Sequence, residues 1–67
     1  MIEIEVNGEP RQVAAWTTLD DLVELLELGA QAVAVAVNRA MVPRQMWPGQ
    51  VLLAKDKIEI VRAIGGG

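Results

Sequence analysis

The chain has 67 residues, a formal net charge of -3, and neither cysteine nor histidine. This length supports one small domain, and the missing residue types exclude disulfides as well as thiolate or imidazole ligands for a structural metal. The six Lys and Arg residues are scattered along the sequence, so a surface that binds nucleic acid is not expected.

The chain is predicted to open with a β-hairpin. Residues 2–6 alternate apolar and acidic side chains, which is the period of a half-buried strand. Asn7-Gly8 favours a two-residue type I′ turn. A second strand is expected over residues 11–15, and Pro10, which has no N–H to donate, favours a position at the sheet edge.

An amphipathic helix is predicted after Thr18, whose side chain can accept a hydrogen bond from the backbone N–H of Asp21. An apolar stripe with helical spacing follows. It consists of Leu19, Leu22, Val23 and Leu26. Gly29 is expected to end the helix in a left-handed conformation. The stripe lies on one side of the helix, so the helix should cover one face of a sheet.

The second half of the chain is predicted to contain more strands. Valine and alanine alternate over residues 32–37, which indicates a third strand. Prolines and a glycine in the segment 38–49 predict an irregular connection, with one short strand near 40–42. Another brief strand is expected at 51–53, and a final strand follows the polar turn 55–57.

These elements predict an α+β fold. A single amphipathic helix can cover one face of one sheet, and the strands at the two ends of the chain are expected to be central, adjacent and parallel. The β-grasp, or ubiquitin-like, fold meets these requirements, with a mixed sheet of four or five strands and one helix packed on one face. Residues 1–64 are assigned to this domain, and residues 65–67 to a flexible C-terminal tail.

The tail Gly65-Gly66-Gly67 is a candidate functional segment. Glycines make a chain thin enough to enter a narrow channel, and no side chain crowds the carboxylate of Gly67. A frayed end or a cloning remnant is the alternative explanation. The glycines follow a strand without a polar linker, which favours a functional tail. A carboxylate is a poor electrophile, so its chemistry requires activation by a partner, typically as an acyl-adenylate formed from ATP.

Five segments carry a resemblance to a known family. They are IEIEVNG at 2–8, Thr18-Leu19-x-x-Leu22, VAVAVN at 33–38, Val42-Pro43-Arg44-x-x-Trp47, and the ending Ile60-Val61-x-Ala63-Ile64 with its three glycines. Together they make the chain similar to the sulfur-carrier family of thiamine biosynthesis. One departure is Arg39-Ala40, which follows Asn38 where that family more usually has glycine or another small turn residue.

The resemblance implies that Gly67 is adenylated by an E1-like adenylyltransferase and converted to a thiocarboxylate with sulfur from a persulfide donor protein. The sulfur then passes to a thiazole synthase. The chain would be a co-substrate rather than an enzyme, with no stably bound cofactor and with ATP used by the activating partner. Two alternatives remain open: the small subunit of molybdopterin synthase, and a ubiquitin-like interaction module that makes no use of its tail.

An interface is predicted beside the tail. If Glu59 faces water, Val61 and Ala63 lie on the same side of the final strand and form an exposed apolar patch, a common mark of a protein interface. The predicted interface residues, expected to help dock the activating enzyme, are Val61, Ala63, Ala34 and Ala36.

The remaining expectations concern single residues and location. Trp16 and Trp47 are expected to pack at the edge of the core, and Arg44 to be a solvated charge. The acidic N-terminal segment does not resemble a signal peptide, and no apolar run approaches the ~20 residues of a membrane span. A cytoplasmic protein is expected, without membrane contact and monomeric when free.

Overall fold

The structure, a computed structural model, describes residues 1–62 of the chain. Its strands are β1 Ile2–Val6, β2 Glu9–Val13, β3 Val33–Val37, β4 Ala40–Met41 and β5 Lys57–Arg62. Its helices are α1 Leu19–Leu25 and a 3₁₀ helix, Arg44–Gly49. The strands form one sheet in the order β2-β1-β5-β3-β4. Strands β1 and β5 pair in parallel, and the other neighbours pair antiparallel. The predicted α+β fold is confirmed: the sheet is mixed, and the first and last strands of the chain, β1 and β5, are central, adjacent and parallel.

The predicted hairpin is present. Asn7 and Gly8 have φ angles of 50° and 84°, as both central residues of a type I′ turn require. Strand β2 begins at Glu9 and not at residue 11, so Pro10 lies inside the strand, opposite Glu5. Strand β2 is an edge strand, which confirms the position inferred from the proline.

The start of α1 also follows the prediction. The Asp21 backbone N–H donates to Thr18 Oγ1 at 3.1 Å, and the Thr18 N–H donates to Asp21 Oδ2 at 3.1 Å. This reciprocal pair satisfies two backbone donors at the end of the helix. The side chains of the stripe that are fully buried are Leu19, Leu22 and Val23.

The end of α1 differs from the prediction. The residue with a left-handed backbone is Glu27, with φ 60°, and not Gly29. The N–H of Glu27 donates to Glu24 O, and that of Leu28 to Val23 O, which is the Schellman arrangement. Because the chain turns at Glu27, Leu28 packs against the core. That packing offsets a left-handed cost of about 1 to 2 kcal/mol for a residue other than glycine.

The connection after β3 is more regular than predicted. Asn38 and Arg39, with φ angles of 50° and 70°, form a second two-residue hairpin turn. The short strand expected near 40–42 is β4. The 3₁₀ helix was not predicted, although its short turns are compatible with prolines that exclude a long α-helix. The strand expected at 51–53 is reduced to an isolated bridge between Val51 and Thr18.

The two tryptophans behave differently. Trp47 is 1% exposed and its Nε1–H donates to Val42 O at 2.9 Å, so its predicted packing role is confirmed. The same prediction is wrong for Trp16, which is 82% exposed. Trp16 lies in a tight turn in which the N–H and Oγ1–H of Thr17 both donate to Ala14 O. With φ 74° in that turn, its side chain is directed to solvent.

Arg44 is exposed to solvent, as expected, but it is not isolated. Its guanidinium lies 4.5 Å from the centre of the Trp47 ring. It donates from Nη1 to Gly29 O at 3.2 Å and from Nη2 to Gln31 O at 2.7 Å. Arg44 therefore joins the 3₁₀ helix to the connection between α1 and β3.

The core lies between the sheet and the two helices. Its buried members are Ile4, Val6, Val13, Leu19, Leu22, Val23, Val35, Val37, Trp47, Leu52 and Ile58. Asp56, in the predicted polar turn, is also buried. It accepts from Asn38 Nδ2 at 2.9 Å and from the Leu53 N–H at 2.8 Å. In residues 1–62 no helix has the length and apolar character needed to cross a membrane.

Candidate functional site

The sheet presents one face to α1 and the core and an opposite face to solvent. Along β5, Ile58 is buried, whereas Glu59 and Val61 are exposed. Along β3, Val35 and Val37 are buried and Ala34 is exposed. This period of two confirms that Glu59 faces water, which was the condition on which the interface prediction depended.

The pairing of β3 with β5 brings predicted interface residues together. Val61 lies directly opposite Ala34, and Glu59 lies directly opposite Ala36. The Val61 side chain is 63% exposed, and its small neighbours leave it standing above the sheet surface. Their role in binding a partner stays a prediction. Ala63 lies outside the described residues, as does the tail, Gly65, Gly66 and Gly67.

Sequence reasoning missed one member of this surface. Met41 lies opposite Ala36 in the β3–β4 pair and is 69% exposed. The sequence could have indicated this position. A two-residue turn at Asn38-Arg39 pairs Val37 with Ala40 and Ala36 with Met41, and residues that pair directly share a face of the sheet. Residues Val61, Ala34, Ala36 and Met41 are called the apolar patch below.

Acidic side chains border the apolar patch on the β1 side. Glu59 is exposed, Glu3 is exposed on β1, and Glu5 pairs with Lys57 across the parallel ladder. Adjacent residues in this register share a face of the sheet, so three carboxylates and one ammonium lie beside the patch. Such a surface is complementary to a partner with an apolar contact area flanked by basic side chains.

The end of β5 is held by a side chain from the first hairpin. Asn7 Oδ1 accepts from the Ile60 N–H at 2.8 Å, and Asn7 Nδ2 donates to Ile60 O at 3.3 Å. Ile60 lies two residues before Arg62, the last described residue. Asn7 was read from the sequence only as a turn residue, and its contact with Ile60 was missed.

The acidic side chains of residues 1–62 are spread over several parts of the fold. Within 1–62, no group of three or more Asp and Glu side chains is arranged to hold a metal ion. The whole sequence lacks cysteine and histidine. Most of the carboxylates lie near the ends of α1 or on the open face of the sheet, whereas Glu9 is on the edge strand β2 and Asp56 is buried. An apolar patch bordered by charged side chains is typical of a surface that binds another protein.

Comparisons with known proteins agree on one family. Residues 4–67 match the ThiS family. A segment of 66 residues is 42% identical to part of a thiazole synthase from Magnetococcus marinus; it includes 98% of this chain and 20% of that protein. The chain thus spans about a fifth of the length of that relative.

Two further relatives match along their whole length. The sulfur carrier protein ThiS of Escherichia coli is 32% identical over 66 residues, with 98% of this chain and 100% of that protein covered. The crystal structure of a thiamine biosynthesis protein, ThiS, from Geobacter metallireducens superposes with a TM-score of 0.83. That protein is 28% identical, and the superposition covers 98% of this chain and 100% of the other.

Proposed function

This chain belongs to the ThiS family of sulfur carriers, and from that premise we propose that the carboxylate of Gly67 carries sulfur as a thiocarboxylate for thiamine biosynthesis. The chain is a small carrier protein. Its role as a co-substrate of other enzymes is part of the proposal.

One observation supports this function above the others: the likeness to the ThiS family continues through Gly67. The whole Escherichia coli carrier is also covered by the alignment. Family membership favours thiamine biosynthesis over the molybdopterin alternative.

The proposed chemistry takes place at the carbonyl carbon of Gly67. An E1-like enzyme transfers AMP from ATP to the carboxylate and releases pyrophosphate. The terminal sulfur of a persulfide on a donor protein then attacks the carbonyl carbon, and AMP leaves. The resulting acyl disulfide links Gly67 to the donor protein. A thiol reductant attacks the cysteine sulfur of the donor and breaks the S–S bond, which releases the thiocarboxylate and leaves the donor in a mixed disulfide with the reductant. ATP is thus a substrate of the partner, and this chain holds no cofactor in the proposal.

The apolar patch is the proposed docking surface for the activating enzyme. Val61 is the exposed large apolar side chain of β5 and lies in the strand that leads to the tail. Ala34 and Ala36 allow close approach, and Met41 adds a flexible apolar contact. The bordering carboxylates orient the partner through its basic groups. Ala63, which follows in sequence, is included in this proposal.

A thiazole synthase is the proposed acceptor of the sulfur. Support comes from Magnetococcus marinus, in which a segment similar to this chain is part of a protein named thiazole synthase. The carrier and the thiazole synthase would then act in the same pathway, and the carrier would have to bind the synthase to deliver its sulfur. We place the reaction in the cytoplasm, where ATP and reducing thiols are both supplied.

The decisive experiment is the intact mass of the purified chain after incubation with the E1-like enzyme, ATP, a persulfide donor and a thiol reductant. We expect a mass increase equal to the difference between one sulfur and one oxygen atom. Omission of ATP should prevent it, because the free carboxylate does not react with a persulfide.

A chain with one serine appended after Gly67 is the matched control. Its folded domain is the same, but the reacting carboxylate is displaced from the glycine, so no mass increase is expected. An unchanged mass for the wild-type chain would contradict the carrier function and favour the passive interaction module.

A further inference from the structure

The parallel ladder between β1 and β5 ends before β5 does. Strand β1 stops at Val6, and the chain then reverses in the Asn7-Gly8 turn. The last backbone bond of the ladder is from the Asn7 N–H to Ile58 O, at 2.9 Å. On this side of β5, the N–H and C=O of Ile60 therefore have no strand to pair with.

The side chain of Asn7 replaces the missing strand. Its carboxamide offers one acceptor and one donor, and these bond to the N–H and the C=O of Ile60 at 2.8 and 3.3 Å. With its backbone bond to Ile58, Asn7 makes three hydrogen bonds to β5. On its other side, Ile60 pairs with Val35 of β3. The Val35 C=O accepts from the Val42 N–H on the β4 side, so Val35 and Ile60 face each other without a backbone bond. The Asn7 side chain therefore supplies the hydrogen bonds of the Ile60 backbone.

We propose that Asn7 is a positioning residue for sulfur loading: it holds the end of β5, and so sets the direction from which the tail starts. The inference rests on the proposed function, since the tail is the substrate of the activating enzyme. Ile60 directly precedes Val61, so the same bonds also set the position of the docking side chain relative to the tail.

The hydrogen bonds of Asn7 are expected to affect how tightly the activating enzyme binds the carrier in a reactive orientation. When they are absent, the end of β5 is held from the β3 side alone, through the Ala34–Val61 and Val33–Arg62 pairs. The strand end then samples more orientations, and the partner binds only the fraction that is correctly directed. A smaller competent fraction raises the apparent dissociation constant and leaves the reaction of the bound complex unchanged. The expected signature is a higher KM for the carrier with an unchanged kcat.

Asn38 supplies a matched control at the other end of β5. It has the same φ of 50° and lies at the first position of a two-residue turn. Its Oδ1 accepts from the Lys57 N–H at 3.0 Å, and its Nδ2 donates to Asp56. Asn38 thus holds the beginning of β5, and Asn7 holds the end. Because its partner Asp56 is buried, we expect Asn38→Gly to lower stability at least as much as Asn7→Gly.

The test compares Asn7→Gly with Asn38→Gly in the full chain. Glycine adopts positive φ freely, so each change removes the side-chain bonds without straining the turn. Pyrophosphate exchange by the E1-like enzyme gives KM and kcat for each carrier. For Asn7→Gly we expect KM to rise about threefold to tenfold, the size expected for one or two exposed hydrogen bonds, with kcat unchanged. For Asn38→Gly we expect the wild-type KM.

Hydrogen exchange gives a readout that needs no enzyme. The Ile60 amide should exchange about tenfold faster in Asn7→Gly than in the wild type, because it loses its acceptor. In Asn38→Gly its exchange should follow only the change in global stability. Equal KM values for the two variants, or an unchanged Ile60 exchange rate in Asn7→Gly, would overturn the inference. If the wild-type chain itself gains no sulfur, the proposed function fails, and the inference fails with it.

Discussion

The two hairpin turns of this protein have the same backbone conformation but different second residues. Gly8 has φ 84° in the first turn, and Arg39 has φ 70° in the second. In L-amino acids other than glycine this region brings Cβ close to the backbone, which costs roughly 1 to 2 kcal/mol. The Arg39 turn is thus strained at a position where the Gly8 turn is not. The departure from the family pattern at Arg39-Ala40 leaves the turn type unchanged.

We expect Arg39→Gly to stabilise the protein by about 1 kcal/mol. Glycine relieves the left-handed strain of the folded turn, and this gain exceeds the loss caused by the greater entropy of the unfolded chain. Gly8→Ala is the reciprocal change. Apart from Gly8 and its two chain neighbours, no residue has an atom within 4 Å of a Cβ added at Gly8, so the expected cost of about 1 kcal/mol comes from the local backbone conformation. Urea denaturation of both variants measures these free energies of unfolding. A destabilised Arg39→Gly would show that the arginine side chain contributes more than the strain removes.

At the scale of elements, Arg44 connects parts of the chain that local patterns describe separately. It lies in the 3₁₀ helix, and it bonds to carbonyl groups of Gly29 and Gln31 in the connection between α1 and β3. Its planar guanidinium also covers the Trp47 ring. A planar group with several donors can satisfy two carbonyls and stack at once, which a lysine ammonium cannot do.

Replacement of Arg44 by methionine is expected to lower the free energy of unfolding by about 1 to 2 kcal/mol, since two charge-assisted hydrogen bonds are lost. Arg44→Lys is the control that keeps the charge and the length of the side chain. We expect it to recover less than half of the loss. Urea denaturation followed by tryptophan fluorescence, which changes when the buried Trp47 becomes exposed, measures both free energies of unfolding. Full recovery in the lysine variant would mean that charge alone matters at this position.

On the scale of the whole molecule, the fold separates stability from recognition. One face of the sheet is buried under α1 and the 3₁₀ helix, and the other carries the apolar patch next to the strand that leads to the tail. A charge placed in the apolar patch should therefore weaken the binding of a partner far more than it lowers the free energy of unfolding.

Val61→Asp is expected to slow thiocarboxylate formation at least about tenfold, because a carboxylate would be desolvated against an apolar partner surface. Its effect on the free energy of unfolding should stay below about 1 kcal/mol. Leu53→Asp is the matched control. Leu53 is 65% exposed, close to the 63% of Val61, but it lies outside the apolar patch. Rates of thiocarboxylate formation by intact mass distinguish the two variants. A wild-type rate in Val61→Asp, or an equal loss in Leu53→Asp, would remove the patch from the docking surface.

Predictions from the sequence succeeded where the information is local. The Asn7-Gly8 turn, the Thr18 cap and the alternation of residues 33–37 each depend on residues a few positions apart. The prediction of Gly29 as the helix end failed although its signal was local. The packing of Leu28 against the core decided that the chain turns at Glu27.

Part of the candidate site was also predictable. The period of two put Val61 on the same side as Glu59, and put Ala34 on the alanine side of its strand. The structure then showed that both sides belong to the open face and that the two residues lie opposite each other. Met41 was missed because the turn after β3 was taken as irregular. The division into a domain of residues 1–64 and a tail of residues 65–67 stays a prediction, because the structure describes the chain only to Arg62.

By itself, the sequence determined the order and type of the main elements, the family and the candidate tail, because turn chemistry, capping and side-chain period act over short distances. Only the tertiary structure decided that Trp16 is exposed while Trp47 is buried. It also decided that Arg44 joins the 3₁₀ helix to the connection between α1 and β3, and that Asn7 bonds to Ile60. Asn7 and Ile60 are 53 positions apart, and no local pattern relates them. Such contacts exist only after the sheet has brought the two ends of the chain side by side.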